Sequence, residues 1–272
     1  MMQVSVDQVC TNTFQMRYFR FGTGKAPLVI LPGLSVQSVI GLAEAVASVY
    51  APLAEDFTVY VFDRRETLPP TYDIHAMADD TAAALYALGL RSVCLFGASQ
   101  GGMIAMTLAI NYPDLVKKLA VGSSAASVSS EQFQTVEYWI HLASAQDGAA
   151  LYRDFGAHIY PPAVFEKYKA ALTFAGRSVT AAEFTRFITL AESIRDFSVL
   201  NDLCKIRCPV LVLGDRDDAV LGAASSDEIA AHLSPNTPTI LFLSEGYGHA
   251  AYDLAPDYKT RLLNFFLPVD EK

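Results

Sequence analysis

The chain is poor in several things, and each shortage removes a class of protein. Of its 272 residues only four are cysteine: Cys10, Cys94, Cys204 and Cys208. That is too sparse for a small fold framed by disulfides. Only Cys204 and Cys208 lie close together, and no further thiolate or imidazole accompanies them, so no metal site is expected. The thiols read as reduced and mostly buried. Long apolar runs are also missing. Although 52% of the residues are hydrophobic, none of the stretches reaches the ~18 uninterrupted apolar residues of a membrane-spanning helix. The opening residues, MMQVSVDQVC, hold neither a basic segment nor an apolar one, so no secretory signal is expected and the cytoplasm is the default location. Cations are few: 20 Lys and Arg stand against 29 Asp and Glu, a net charge of −9. They adjoin at Arg64-Arg65 and at Lys117-Lys118. Nucleic acid and anionic membrane surfaces are therefore excluded as expected partners. A small-molecule substrate is the partner expected, and self-association stays open.

What the chain does have is rhythm. Short apolar runs alternate with amphipathic stretches, the pattern of an α/β sheet. Strands are expected at Phe14–Phe21, Leu28–Leu31, Phe57–Phe62, Ser92–Phe96, Val116–Val121, Val210–Leu213 and Thr239–Leu243. Helices are expected at Gly41–Ala54, Ile74–Leu88, Met103–Asn111, Ser226–Leu233 and from about Pro256 to Phe266. Between Ser130 and Leu203 the strand runs stop. Gln132–Ala145, Pro162–Phe174 and Ala181–Ile194 read as helices, in a stretch too long for one crossover loop. This gives a core in two parts, 1–129 and 204–272, interrupted by a helical cap at 130–203.

The strongest local signal is Gly97-Ala98-Ser99-Gln100-Gly101-Gly102, between an apolar strand and a helix. A serine on a tight strand-to-helix turn is held in a strained conformation, with small residues on both sides because the turn is crowded. The N–H groups of the following helix lie beside it and favour developing negative charge. A serine hydroxyl is a weak nucleophile and needs a base. In such an elbow the order is serine, then acid, then histidine. Of five histidines, His249 alone follows a late strand in a glycine-bearing loop, Ser244-Glu245-Gly246-Tyr247-Gly248-His249. The preceding strand ends in Gly214-Asp215-Arg216-Asp217-Asp218. The third residue after the glycine should have turned back over the sheet, which selects Asp217. Asp218 is the alternative, and the remaining carboxylate reads as a turn residue. Two N–H donors are needed for an oxyanion. Gln100 supplies one, and Leu34, in the turn Leu31-Pro32-Gly33-Leu34, supplies the other.

In this order of motifs the chain resembles the α/β-hydrolase superfamily, most closely its small cap-bearing bacterial serine hydrolases and esterases. LPG, FDRR, GASQGG, GDRD and GYGHAAY carry the resemblance. It implies an eight-stranded, mostly parallel sheet flanked by helices, a site between core and inserted helical cap, and no metal or organic cofactor. Two departures stand out. Pro32-Gly33 replaces the familiar His-Gly and so removes a side chain that often braces the oxyanion loop. Glu66-Thr67-Leu68-Pro69-Pro70 lacks the family's usual glycine and serine. The expected activity is carboxylesterase-like cleavage of an ester-like bond in a small apolar substrate through an acyl-serine. The same side chains would also serve a carbon–carbon hydrolase, a thioesterase or an acyltransferase. A silent, ligand-binding member of the fold is the non-enzymatic alternative.

Overall fold

The computed structural model describes residues 3–267. In chain order the elements are β1 (Ser5–Cys10), β2 (Gln15–Phe21), β3 (Ala26–Leu31), α1 (Ala43–Val49), β4 (Phe57–Arg65), α2 (Ile74–Ala87), β5 (Val93–Ala98) and α3 (Gln100–Asn111). Then come β6 (Val116–Gly122), α4 (Ser130–Ser144), α5 (Gly148–Ile159), α6 (Pro162–Gly176) and α7 (Ala181–Glu192). The chain ends with β7 (Val210–Asp215), α8 (Ala224–His232), β8 (Thr239–Ser244), the short α9 (Ala251–Leu254) and α10 (Tyr258–Phe266).

The eight strands form one sheet in the order β1-β2-β4-β3-β5-β6-β7-β8. β1, β2 and β4 pair antiparallel, and every pairing from β4 to β8 is parallel. Successive side chains of a strand face opposite sides, and here both sides are covered. Val29, Leu31, Leu95, Val121 and Val212 pack toward α2 and α3. Leu28, Ile30, Cys94, Phe96, Ala120 and Leu211 pack toward α1 and α10. That explains why the central strands read as unbroken apolar runs. Large side chains with no exposure at all, such as Phe96, contribute about 1.5–3 kcal/mol each by burial.

The expected strands and helices of the core are present within a few residues, except that the helix expected over Gly41–Ala54 is α-helical only over Ala43–Val49, with 3-10 turns at Val39–Leu42 and Ala51–Leu53. Three differences have local causes. β1 alternates exposed and covered residues at the sheet edge, so its polar half concealed it in the sequence. β4 runs three residues further than its apolar run, because Arg65 still pairs with Met16. α5 went unread because glycine opens it and recurs at Gly156. Yet Asp147 accepts the N–H of Ala150 at 2.9 Å, and Leu151, Phe155 and Ile159 share one face at four-residue spacing.

The order of the sheet decides where chemistry can occur. From β3 the chain steps to β4 on one side, then returns to β5 on the other. The carboxyl ends of β3 and β5 therefore diverge into a crevice, where ligands of open α/β sheets bind. Helices α4–α7 lie between β6 and β7 in sequence. The two ends of this insertion are zipped together: Val128 N–H donates to Phe197 O at 2.9 Å and Val199 N–H to Ala126 O at 2.7 Å.

Candidate active site

Ser99 stands between β5 and α3 with φ 53° and ψ −122°. A non-glycine residue in that region is strained and must be held by its surroundings. The restraints are visible. Ser99 N–H donates to Gly122 O at 2.8 Å, its carbonyl accepts the N–H of Gly102 at 2.8 Å, and Ser124 Oγ donates to the same carbonyl at 2.7 Å. The flanking glycines are sterically required: a Cβ on Gly97 would run into the Gly101 backbone, and one on Gly101 into Leu31 and Pro32.

His249 reaches this serine from the other end of the sequence. It sits in a short turn after β8, 2% exposed. Ser99 Oγ lies 2.9 Å from His249 Nε2. On the far side of the ring, Nδ1 lies 3.0 and 2.9 Å from the two carboxylate oxygens of Asp218. A carboxylate can only accept, so Nδ1 carries the imidazole proton and Nε2 is left to accept from the serine hydroxyl. Asp218 also accepts the N–H groups of Val220 and Leu221 at 2.8 and 3.0 Å. Burial pushes its carboxyl upward, but the charge and hydrogen bond of His249, with the two N–H groups, prevail and hold it below the usual carboxylate range.

The carboxylate against the histidine is thus Asp218 and not Asp217, which corrects the sequence assignment. The reason lies in Asp215. This carboxylate is completely buried. One oxygen accepts the N–H of Asp217 at 2.9 Å and of Gly248 at 3.0 Å; the other accepts Ser244 Oγ at 2.8 Å and the N–H of Tyr247 at 3.2 Å. Counting from Gly214 assumed an ordinary turn. Asp215 instead draws the chain into a side-chain-closed turn, so the inward position falls one residue later. Asp217 is exposed and accepts the N–H of Gly246 at 2.7 Å. Asp215 therefore ties the turn after β7 to the loop that carries His249. In the sequence nothing but its place in a turn distinguishes it.

The Pro32-Gly33-Leu34 turn approaches the nucleophile closely. A Cβ on Gly33 would lie 3.1 Å from Ser99 Cβ. The Leu34 N–H donates to no acceptor among the described residues. Gln100, the first residue of α3, carries one of the N–H groups that a helix start leaves unpaired. Both expected donors therefore flank Ser99.

A cavity of about 20 Å³ opens at Ser99 and His249. Its walls are Met103 from the core and Val136, Trp139, Phe155, Ile159 and Ile194 from the insertion, with Leu34, Val220, Leu221 and Tyr252. That volume suits one or two waters. Besides His249, no residue lining it carries a titratable cation, among the described residues. Leu34, Phe155, Ile159 and Tyr252 also form a wall of a second cavity of about 610 Å³, which is bordered by residues 34–42 and by α5 and α6.

Comparison with known proteins bears on the fold and the family. A family model described as alpha/beta hydrolase fold matches residues 26–256. Relatives bearing the provisional name carbamate hydrolase RutD include one from Agrobacterium fabrum, 26% identical over 258 residues, covering 91% of this chain and 95% of the relative. Another, from Caulobacter sp., is 28% identical over 233 residues, covering 78% and 82%. Among solved structures, an alpha/beta hydrolase enzyme from a Medee basin deep-sea metagenome superposes with a TM-score of 0.80 at 21% identity, covering 100% of this chain and 96% of that one. The enol-lactonase from Burkholderia xenovorans gives 0.80 at 18% identity, covering 95% and 99%. The residues at the elbow, the extent of the family match and the eight-stranded sheet lead to one assignment: the chain belongs to the alpha/beta hydrolase family.

Proposed function

We propose that the protein is a serine hydrolase that cleaves an ester-like bond of a small, uncharged, apolar substrate through an acyl-Ser99 intermediate. The single observation behind this reading is the unbroken chain of contacts from Ser99 Oγ through His249 to Asp218, at 2.9 and 2.9–3.0 Å. His249 Nε2 takes the hydroxyl proton as Ser99 Oγ attacks the carbonyl carbon. Asp218 keeps the proton on Nδ1 and stabilises the imidazolium that forms. The N–H groups of Leu34 and Gln100 receive the oxyanion. Collapse expels the leaving group with the proton from His249. A water activated by the same imidazole then releases the acid.

The substrate class follows from the walls. A carboxylate or phosphate brought to Ser99 would leave water without a cation to meet it. The insertion, residues 130–203 with helices α4–α7, would act as a cap whose Trp139, Phe155 and Ile159 close over the acyl group. The cavity of about 20 Å³ favours a short acyl chain.

A carbamate is the second reading, favoured by the name of the relatives. Its carbonyl asks for the same attack and the same oxyanion site. In the outer cavity Arg17 is the one cation among the described lining residues, so an acidic group could be met only there, away from Ser99.

The test uses a fluorophosphonate probe and a panel of nitrophenyl esters. Wild-type protein should be labelled and Ser99→Ala should not, with the fold intact. Short neutral esters should be turned over faster than charged ones. Labelling that persists in Ser99→Ala would remove Ser99 as nucleophile.

A further inference from the structure

The sequence lacks the histidine that often braces the oxyanion loop, and the structure contains a different brace. Arg64, at the end of β4, is 5% exposed. One of its terminal nitrogens donates to Pro32 O at 2.8 Å and to Gln100 Oε1 at 3.2 Å. The Gln100 side chain is itself completely buried. Its amide donates onward to Leu190 O at 2.6 Å and to Ser193 Oγ at 3.1 Å, at the end of α7. The neighbouring Asp63 is taken by Arg186, at 3.1 Å. Among the described residues Arg64 is left without a carboxylate partner, and its Nε has no hydrogen-bond partner. A guanidinium buried with no carboxylate on its donors and with one donor open is costly, and the charge of the adjacent Asp63 offsets only part of that burial. A purely structural link between β4 and a loop could be made by a neutral side chain. Meanwhile the two residues that Arg64 touches bear directly on the oxyanion donors. Pro32 opens the turn that carries Leu34, and Gln100 is the other donor.

We propose that Arg64 is a positioning residue for the oxyanion hole: its guanidinium clamps the Pro32 carbonyl and the Gln100 side chain together and so sets the spacing and aim of the Leu34 and Gln100 N–H groups. The proposal rests on the reading of Ser99 as nucleophile. The clamp also carries a positive charge behind the hole, where low dielectric strengthens it. Through Gln100 it fixes the end of α7 to the same point, so the insertion and the oxyanion hole share one anchor.

The experiment compares Arg64→Met, Arg64→Lys and Gln100→Leu with the wild type. Gln100→Leu keeps the backbone N–H and removes only the side-chain link. Each is assayed for kcat and KM on a neutral nitrophenyl ester. Each is also assayed for affinity toward a trifluoromethyl ketone, whose adduct with Ser99 carries an oxyanion, and toward the matching methyl ketone, which binds as a ground-state analogue. Small misplacement of catalytic groups can cost about 10²-fold. Arg64→Met should therefore lose about 10²-fold in kcat with little change in KM. Trifluoromethyl ketone affinity should fall in parallel, and methyl ketone affinity should hold. Gln100→Leu should show the same pattern in smaller measure. Arg64→Lys should recover part of the loss, because one ammonium can hold the Pro32 carbonyl. Should Arg64→Met fail to fold, the other two variants decide. Equal loss of both ketones, or kcat unchanged in folded variants, would overturn the clamp while leaving Ser99 in place. A wild type that no fluorophosphonate labels would overturn the nucleophile itself, and the clamp with it.

Discussion

Exchanging Asp218 for Asn tests the proposed catalytic geometry most sharply, because its neighbour Asp217 provides an internal control. Asp218 has one oxygen on the N–H groups of Val220 and Leu221, at 2.8 and 3.0 Å, and both oxygens within 3.0 Å of His249 Nδ1. In Asp218→Asn the amide oxygen must stay on the two N–H groups, since an NH2 group there would face donors with a donor. The NH2 group is then presented to Nδ1. The imidazole answers by accepting at Nδ1 and carrying its proton on Nε2, so it faces Ser99 as a donor and can no longer act as a base. In serine enzymes of this chemistry the wrong tautomer costs about 10⁴-fold in kcat, or about 5.4 kcal/mol of activation free energy. Asp217→Asn keeps an amide oxygen to accept the Gly246 N–H at the surface and should stay close to wild type. The assay is steady-state hydrolysis of a neutral nitrophenyl ester, with fluorophosphonate labelling rates as a second measure. A large loss in Asp217→Asn together with a nearly active Asp218→Asn would refute the assignment. Stability gives an independent reading. The folded carboxyl of Asp218 is held below its ordinary value of 3.8. Its ionised form therefore stabilises the fold above the ordinary value, and that contribution is lost as pH falls through the lower folded value. The gap in melting temperature between wild type and Asp218→Asn should be full at neutral pH and should close as pH drops below about 4. A gap that widened toward acid would contradict the sign of the shift.

Two further outcomes are expected. Asp215→Ala removes the acceptor of three backbone N–H groups, at about 1–3 kcal/mol for each one left buried and unsatisfied, while the Ser244 hydroxyl keeps Gly214 O. It should therefore destabilise the protein strongly, and at temperatures where it stays folded it should lose activity by releasing the His249 loop; thermal melts and ester hydrolysis check both, and a stable, fully active variant would show the staple to be dispensable. Phe155→Ala removes a wall shared by the cavity at Ser99 and the outer cavity of about 610 Å³; kcat/KM across a series of acyl lengths should shift toward longer chains, and an unchanged optimum would mean that Phe155 does not limit the site.

The sequence by itself determined most of what depends on local periodicity and crowding, β1 and α5 excepted. Apolar runs such as Leu28–Leu31 and Ser92–Phe96 could only be strands covered on both faces. Gly97-Ala98-Ser99-Gln100-Gly101 reads as a cramped turn ahead of a helix, and in the structure a Cβ at either glycine would indeed meet backbone. His249 was legible because it alone followed a late strand in a glycine-bearing loop. The acid was not legible. Asp217 and Asp218 are adjacent and chemically identical, and the choice between them depends on how far a turn progresses. Asp215 decided that, by engaging N–H groups of two separate loops at once, Asp217 on one and Tyr247 and Gly248 on the other. Arg64 escaped for the same reason. In the sequence it is one of a pair of cations after a strand, and its burial against Pro32 and Gln100 exists only once β3, β4 and β5 lie side by side. Local patterns fix what each segment can be, whereas the partner of a buried polar group is fixed by whatever the sheet brings within about 3 Å of it, and that is a property of the assembled chain.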